Sequence, residues 1–485
     1  MELNRERRFT SLEQVSALLA QAQGKSFREL DETSRAEAGG KGVLGNIVEE
    51  SVLHYPVNSD KQADIQVGDD RYEIKVTPLK HVGKGRRIRT VAKERLVLDV
   101  INYMTLPGES FEESSFWLKS RNLIIVYYVD DRTDKARQKA VDCRITTSFI
   151  LDYHMEDLAV IRHDWEFIRA KVAAGHADTL SESDTDYLAA CTKGANSLSM
   201  RDAPAPHGYL TPTIRAKQRA FSYKSSYMTA IADRVLGERL FSLPLGPDQS
   251  LMGYVRQRIG GFVGMPISHI AERLGTDLLQ AKQMHQALAM AMLGAPHRDS
   301  VESIDQFRKA NVTAIKTMVL YPNDSYPTGM AKENMSFRLI TEEEWNGLAD
   351  SHARWEDSFL YSFFEENRFL FLCFQSPVPY KKHHAEDDVL TDGFLWNMPE
   401  EDIQNYVRPV WEYLHTLMMS GESVRYGRGT NRLPGAEFNK VLHLRPHGKN
   451  AADTVLLPNG EHITKQGFWL DRRYLARVVA EHAGH

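Results

Sequence analysis

The chain has 485 residues, 42% hydrophobic and 26% charged, with a formal net charge of −5 and only three cysteines. That length exceeds one ordinary core, so two to four domains are expected in a chain of ordinary soluble composition. Cys143, Cys191 and Cys373 lie far apart with no Cys-x-x-Cys pair, which argues against a disulfide framework or a thiolate zinc site and suits a reducing compartment. The longest apolar runs are strand-sized, and residues 1–8 hold no apolar stretch of the secretory kind, so neither a membrane span nor a signal is expected.

Residues 11–30 read as helical, with Leu12, Val15, Leu18 and Leu19 at helical spacing. Gly39-Gly40-Lys41-Gly42 is a loop that feeds a helix over 43–53, whose apolar face is Leu44, Ile47, Val48 and Val52. The loop lacks the Ser or Thr and the glycine spacing of a phosphate loop, which argues against an ATP site. On that helix Glu49 and Glu50 read as surface residues, or Glu49 as a group that reaches a metal. Next comes Glu73-Ile74-Lys75-Val76, a strand. Alternate side chains of a strand share a face, so Glu73 and Lys75 point one way and Ile74 and Val76 toward a core. Gly68-Asp69-Asp70 is a turn signal, which places Asp64 on the preceding strand within reach of Glu73. Two carboxylates can hold Mg²⁺ beside a phosphate oxygen, and a lysine can orient the attacking water. That is the equipment for hydrolysing a phosphodiester. The short motif alone favours a blander reading, a solvated strand face with a cross-strand ion pair. The rest of the chain reverses that preference.

A basic stretch follows directly: Lys80, Lys84, Arg86, Arg87, Arg89, Lys93 and Arg95 against the single acid Glu94. It reads as a solvated loop or, given its neighbour, as a phosphate-contacting arm. Residues 96–103 and 122–129 read as strands, or as one short helix and one strand, and 164–173 as an amphipathic helix. His163-Asp164 has no partner histidines and reads as incidental. Residues 187–228 form a second basic cluster: Lys193 in a polar turn, then Arg215, Lys217, Arg219 and Lys224 interleaved with Phe221, Tyr223 and Tyr227. This suits a groove-facing segment or a helix with a solvated basic face, with equal weight. Residues 237–250, with Gly and Pro, read as a linker between domains at 1–236 and 251–485. Residues 381–388 read as a solvated charged loop.

The two halves repeat. Lys41, Asp64 and Lys75 find Lys282, Asp305 and Lys316 each 241 residues later. Ala92-Lys93-Glu94 answers Ala331-Lys332-Glu333, Trp165-Glu166 with Gly175 answers Trp411-Glu412 with Gly421, and Lys217-Gln218 answers Lys465-Gln466. Shared order at offsets of 239 to 248 implies two similar domains. The second copy also carries basic residues, Arg445, His447 and Lys449, near its end. It has Ala314 in place of Glu73 and Met290 in place of Glu49, so no carboxylate pair can be assembled there and a catalytically dead copy is expected.

Lys41-Gly42-x-x-Gly45 with Glu49, Asp64, and Glu73-Ile74-Lys75-Val76-Thr77-Pro78 resembles the active-site region of the mismatch-repair nicking endonuclease MutH and of related type II restriction endonucleases that cut at GATC. Lys93-Glu94-Arg95-Leu96-Val97-Leu98, Asp164-Trp165-Glu166, Cys191 to Asn196 and Lys217 to Ser222 look closer to the restriction enzymes, which also carry a degenerate second copy. The usual Pro before the first acid is Ala63 here. The resemblance implies an α/β architecture of two restriction-endonuclease-like domains, each a mixed β-sheet flanked by α-helices. It implies Mg²⁺-dependent cutting of double-stranded DNA at GATC in the bacterial cytoplasm. It gives Asp64 and Glu73 as metal ligands, Lys75 as the residue that orients or activates water, and Glu49 as a supporting acid. Lys41, Lys93, Lys193, Arg215, Lys217, Arg219, Lys224, Arg445 and Lys465 become candidate DNA contacts. With one live site per chain, double-strand cutting needs two chains on the DNA or two successive nicks. A second DNA site on the C-terminal copy would then control the live half. A mismatch-repair-like nicking enzyme and a non-catalytic DNA-binding protein are the alternatives.

Overall fold

The computed structural model describes the chain except residues 1–7, 39, 41, 57–62, 84–87, 133–137, 194–198, 247–248, 298, 381–382, 426–430 and 484–485. It divides into two units, Met1–Leu240 with Arg308–Ala310, and Phe241–Phe307 with Asn311–His485.

In the first unit, strands β1 (Arg8–Phe9), β2 (Ile65–Val67), β3 (Asp70–Val82), β6 (Leu123–Val129) and β7 (Ile145–Ile150) form a mixed sheet in the order β1-β2-β3-β6-β7. Strand β4 (Arg89–Ala92) pairs with the far end of β3. β3 and β6 are parallel, while β2 with β3 and β6 with β7 are antiparallel. β6 reads Leu-Ile-Ile-Val-Tyr-Tyr-Val and is buried along almost its whole length, the signature of a strand covered on both faces. One face packs on helices α1 (Leu12–Ala22), α2 (Phe27–Leu30) and α4 (Val43–Ile47) through Val15, Leu19, Phe27, Ile47, Val48, Ile74, Ile124 and Val126. The short helix α3 (Arg35–Ala38) precedes α4. A second sheet orders β5 (Leu96–Val100), β11 (Arg219–Tyr223) and β8 (Leu188–Thr192), and the strands β9 (Met200–Pro204) and β10 (Thr213–Lys217) form a two-stranded ribbon. Helices α5 (Ser115–Ser120), α6 (Met155–Ala173) and α7 (Ser225–Val235) complete the unit.

The second unit repeats this topology. β12 (Val312–Tyr321), β15 (Arg368–Gln375) and β16 (Val389–Trp396) pair parallel then antiparallel, as β3, β6 and β7 do. β13 (Met330–Ala331) caps the end of β12 as β4 caps β3, so Ala331 answers Ala92. β14 (Met335–Leu339), β20 (Gln466–Leu470) and β17 (Leu442–Pro446) mirror β5-β11-β8, and β18 (Thr454–Leu456) with β19 (His462–Thr464) mirrors the ribbon. The helix Arg408–Ser420 ends at Gly421 in the left-handed region (φ +65°), as α6 ends before Gly175 (φ +86°). This is the α/β architecture of two restriction-endonuclease-like domains, with mixed sheets flanked by helices.

Several local expectations change. Residues 11–30 are two helices, because Gly24 (φ +80°) ends the first and Ser26 caps the second with a capping box. Residues 213–223 are two strands rather than one helix, and the helix begins only at Ser225. Asp64 lies in a bend just before β2 rather than on that strand, and Asp305 instead opens a short helix, Asp305–Lys309, so the two differ in local structure. His163-Asp164 is neither a metal dipeptide nor idle. Asp164 is buried on α6 and accepts the backbone N–H groups of Asp186, Tyr187 and Leu188 at 2.9, 2.7 and 2.9 Å, fixing the approach to β8.

Candidate active site

The strand alternation of β3 does what its sequence demands. Ile74 is buried in the core, while Glu73 and Lys75 share the opposite face and meet, Lys75 Nζ donating to Glu73 Oε1 at 2.6 Å. Asp64 lies in the bend before β2, and the β2–β3 hairpin folds it back so that its Oδ2 accepts the Ile74 N–H at 2.7 Å. That bond occupies one carboxylate oxygen and aims the side chain at the Glu73–Lys75 face.

Glu49 reaches the same place from the helix. Beyond Ile47 the helix widens into a π-helical turn, Val48–Val52, a distortion that often marks functional positions. Of the two glutamates there, Glu50 is held by Arg35, at 2.7 and 2.8 Å, with Thr33 also donating to it. Glu49 instead faces the acids. Its carboxyl is pushed up to about 8, first by burial and then by the charges of Asp64 and Glu73. Asp64 is pushed up to about 6 by burial and Glu73, with the Ile74 N–H, Lys75 and Lys119 opposing. Three carboxyl groups therefore crowd a partly buried spot with more negative charge than its lysines offset.

Sequence reasoning missed Lys119. It sits on α5, far along the chain from the motif, is tied to Asp99 of β5 at 2.6 Å, and adds positive potential at Asp64. No local pattern could have marked it, since only the packing of α5 brings it near.

The donor set fits a hard divalent cation. Among the described residues no three His, Cys, Asp or Glu side chains form a ready metal cage. Mg²⁺ does not need one, since it binds through one or two carboxylates and completes its shell with water and phosphate oxygens. The raised acids of Asp64 and Glu49 are the sign of a charge deficit that such an ion would relieve.

The second unit lacks this deficit. Glu73 sits opposite Leu123 in the ladder, and Ala314 sits opposite Phe369 at the matching rung. Met290 is buried in the helix Met284–Met292. Lys316 keeps its place without a carboxylate, donates to the Ser336 carbonyl at 2.6 Å, and lies over the Phe337 ring at 4.6 Å. Burial pushes its ammonium down to about 8. It lines a cavity of about 620 Å³ with Lys332, Tyr380, His383 and Trp469.

The basic candidates separate by burial. Lys193 is exposed at the end of β8, Arg215 is exposed and paired with Asp202 at 2.7 Å, and Lys217 is half-buried at the end of β10. Lys93 is drawn to Asp130, at 2.8 Å, and its ammonium also donates to the Asp130 carbonyl. Arg219 and Lys224 do not present themselves to a ligand. Arg219 is 3% exposed and donates to the Ala190 carbonyl at 2.7 Å, and Lys224 is 6% exposed and donates to the Thr185 carbonyl. Arg219 is buried on β11 and Lys224 at the start of α7, where each stitches a main-chain carbonyl. In the second unit Arg445 is exposed over the Trp469 ring, at 5.7 Å, and Lys465 pairs with Asp453 at 2.6 Å. Lys41, Lys84, Arg86, Arg87, 194–196 and 381–382 lie outside the described residues. No helix among the described residues is long and apolar enough to cross a membrane.

Residues 53–164 match the family model of the DNA mismatch repair enzyme MutH, a span that contains Asp64, Glu73, Lys75 and Lys119. The chain is 28% identical to the type II restriction enzyme Sau3AI of Staphylococcus aureus, over 95% of this chain and 96% of that protein. It is 23% identical to the DNA mismatch repair protein MutH of Shewanella woodyi, over 41% of this chain and 78% of that protein. The MutH protein of Shewanella sp. strain MR-7 is 22% identical, over 41% of this chain and 81% of its own length. The shorter relatives match less than half of this chain and the longer one nearly all of it, as a duplicated topology would give. The chain resembles the MutH-like restriction endonucleases along nearly its whole length, and it is a site-specific DNA endonuclease.

Proposed function

We propose that this enzyme makes Mg²⁺-dependent double-strand breaks at GATC in duplex DNA, leaving 5′-phosphate ends, and that it does so in the bacterial cytoplasm. The observation that carries this reading is the convergence of Asp64, Glu73 and Glu49 beside Lys75 on the β2–β3 hairpin. Asp64 and Glu73 are the ligands. The cation, when bound, supplies neutralisation of charge that develops on the phosphoryl oxygens. Lys75 Nζ, released from Glu73, holds the attacking water by a hydrogen bond in line with the scissile phosphorus. Glu49 supports the site as a third acid. The choice of GATC rests on the motif resemblance around Lys41, Lys193 and Lys217. Lys93, Lys193, Arg215 and Lys217 are the DNA contacts of the first unit that this reading retains.

The second unit is read as a catalytically degenerate DNA-binding and regulatory domain, with Arg445 and Lys465 as contacts and Ala314 marking the lost ligand position. It would bind a second DNA site, and two chains would meet on DNA to cut both strands. The test is digestion of a plasmid with Mg²⁺ by the wild type and by Glu73→Gln, with end mapping. The expected result is linear product and then fragments that all end at GATC, with cutting by the variant reduced by orders of magnitude, several kcal/mol of transition-state stabilisation being at stake. Stable open circles would establish nicking instead. Near-normal cutting by Glu73→Gln would refute the site assignment.

A further inference from the structure

The ribbon β9–β10 ends in an apolar tip that none of the described residues covers. Tyr209 is 63% exposed and Leu210 is 105% exposed, flanked by the exposed Pro212. Adjacent at the end of a projecting turn, the ring and the leucine form a contiguous apolar patch of the kind that marks an interaction site.

The root of the ribbon is rigid. Ala203 and Ala216 are fully buried, and Tyr103 Oη donates to the Lys217 carbonyl at 2.6 Å. Gly175, at φ +86°, has no room for a side chain because the Ala205–Pro206 backbone presses against it. The turn is closed by Ala205 N–H to the Pro212 carbonyl at 3.1 Å and by Tyr209 N–H to the Pro206 carbonyl at 3.2 Å. Tyr209 and Leu210 are thus held out on a braced stalk. The outward face of that stalk is set by the register. Lys217, Arg215 and Thr213 share it with Met200, Asp202 and Pro204, while Ala203 and Ala216 face inward. Two basic side chains therefore line the approach to the tip.

A two-stranded ribbon fits a DNA groove, and its five residue pairs, about 17 Å long, span a groove width of about 12 Å. Lys and Arg on the stalk suit phosphates on the groove wall, and apolar residues at the tip suit the faces of bases. We infer that Tyr209 and Leu210 form a wedge that enters the duplex at a base step, unstacks it, and positions the DNA for cutting, with Arg215 and Lys217 anchoring the ribbon on the backbone. The inference rests on the DNA endonuclease reading and adds to it a deformation of the substrate.

The experiment uses the full-length chain carrying Glu73→Gln, so that the duplex stays intact, with duplexes that contain the wild-type cut site and 2-aminopurine at successive positions in and beside it. Binding is expected to raise 2-aminopurine emission at one step. Adding Tyr209→Ser and Leu210→Ser should abolish that rise and weaken binding by about 10- to 100-fold, the scale of lost base stacking. Tyr209→Phe with Leu210→Met should keep both, and the melting temperature should not move, since both side chains are exposed. Equal affinity and emission in the serine variant would overturn the wedge. So would weaker binding with the emission rise intact, which would place the tip on the backbone or on another protein. Cutting by the Glu73→Gln background would be visible on the same gels. It would count against the catalytic assignment while leaving the emission readout for the wedge.

Discussion

The acid cluster predicts a specific coupling between pH, divalent cations and stability, with Glu49 as its most sensitive reporter. The Glu49 carboxyl is raised from 4.5 to about 8, so the folded chain holds its proton more tightly than the unfolded chain does. Between those values the native state carries the extra proton, and stability falls as pH rises through that window. The full difference corresponds to a ceiling of about 5 kcal/mol at pH 8 and above. Asp64, raised from 3.8 to about 6, adds a smaller loss that is complete at lower pH. Glu49→Gln keeps the shape and removes the charge. If half the ceiling is realised, ~2 kcal/mol, the variant's midpoint should rise by about 4–8 °C at pH 8 without added metal, and hardly at pH 5. Addition of Mg²⁺ or Ca²⁺ to the wild type should also raise the midpoint, more at pH 8 than at pH 6, because the ion competes with protons for the same carboxylates. Thermal melts of both proteins from pH 5 to 8.5, with and without the cation, measure every quantity. A Glu49→Gln midpoint that tracks the wild type at all pH values would refute the electrostatic account. So would a cation effect independent of pH.

Four further outcomes follow from the geometry. Arg219→Met should destabilise the fold by about 2–3 kcal/mol, since it strands the Ala190 carbonyl. Arg215→Ala should leave the melting temperature alone and lower the slope of log affinity against log salt by about one, as loss of one phosphate contact requires; paired melts and salt titrations separate the two arginines. Asp164→Ala leaves three backbone N–H groups without their acceptor and should cost about 3 kcal/mol or more in chemical denaturation, although it is remote from the β2–β3 hairpin. Lys316 should titrate near 8 by NMR, and Ala314→Glu should move that titration upward by restoring the partner that Lys75 has. A normal value near 10.4 in the wild type would contradict its burial.

What could be read from the chain was whatever depends on neighbours in sequence. Strand alternation put Glu73 and Lys75 on one face, the Gly68 turn folded Asp64 back on them, and the repeat located Ala314 and Lys316. These signals are local in period or fixed in offset, so a single sequence carries them. The residues alone left Glu49 open between a surface position like that of Glu50 and a group reaching a metal; the pairing of Glu50 with Arg35 sets the two apart. The sequence scored Arg215 and Arg219 alike as basic residues in one cluster. Backbone direction and burial divided them, because one is on the outward face of a ribbon and the other is buried on the middle strand of a sheet. Lys119 and the exposed Tyr209–Leu210 tip were invisible for the same reason. A side chain's charge or apolarity is written in the sequence, but whether it faces solvent, a carboxylate or a carbonyl is fixed only when distant strands and helices pack and settle which groups lose their water.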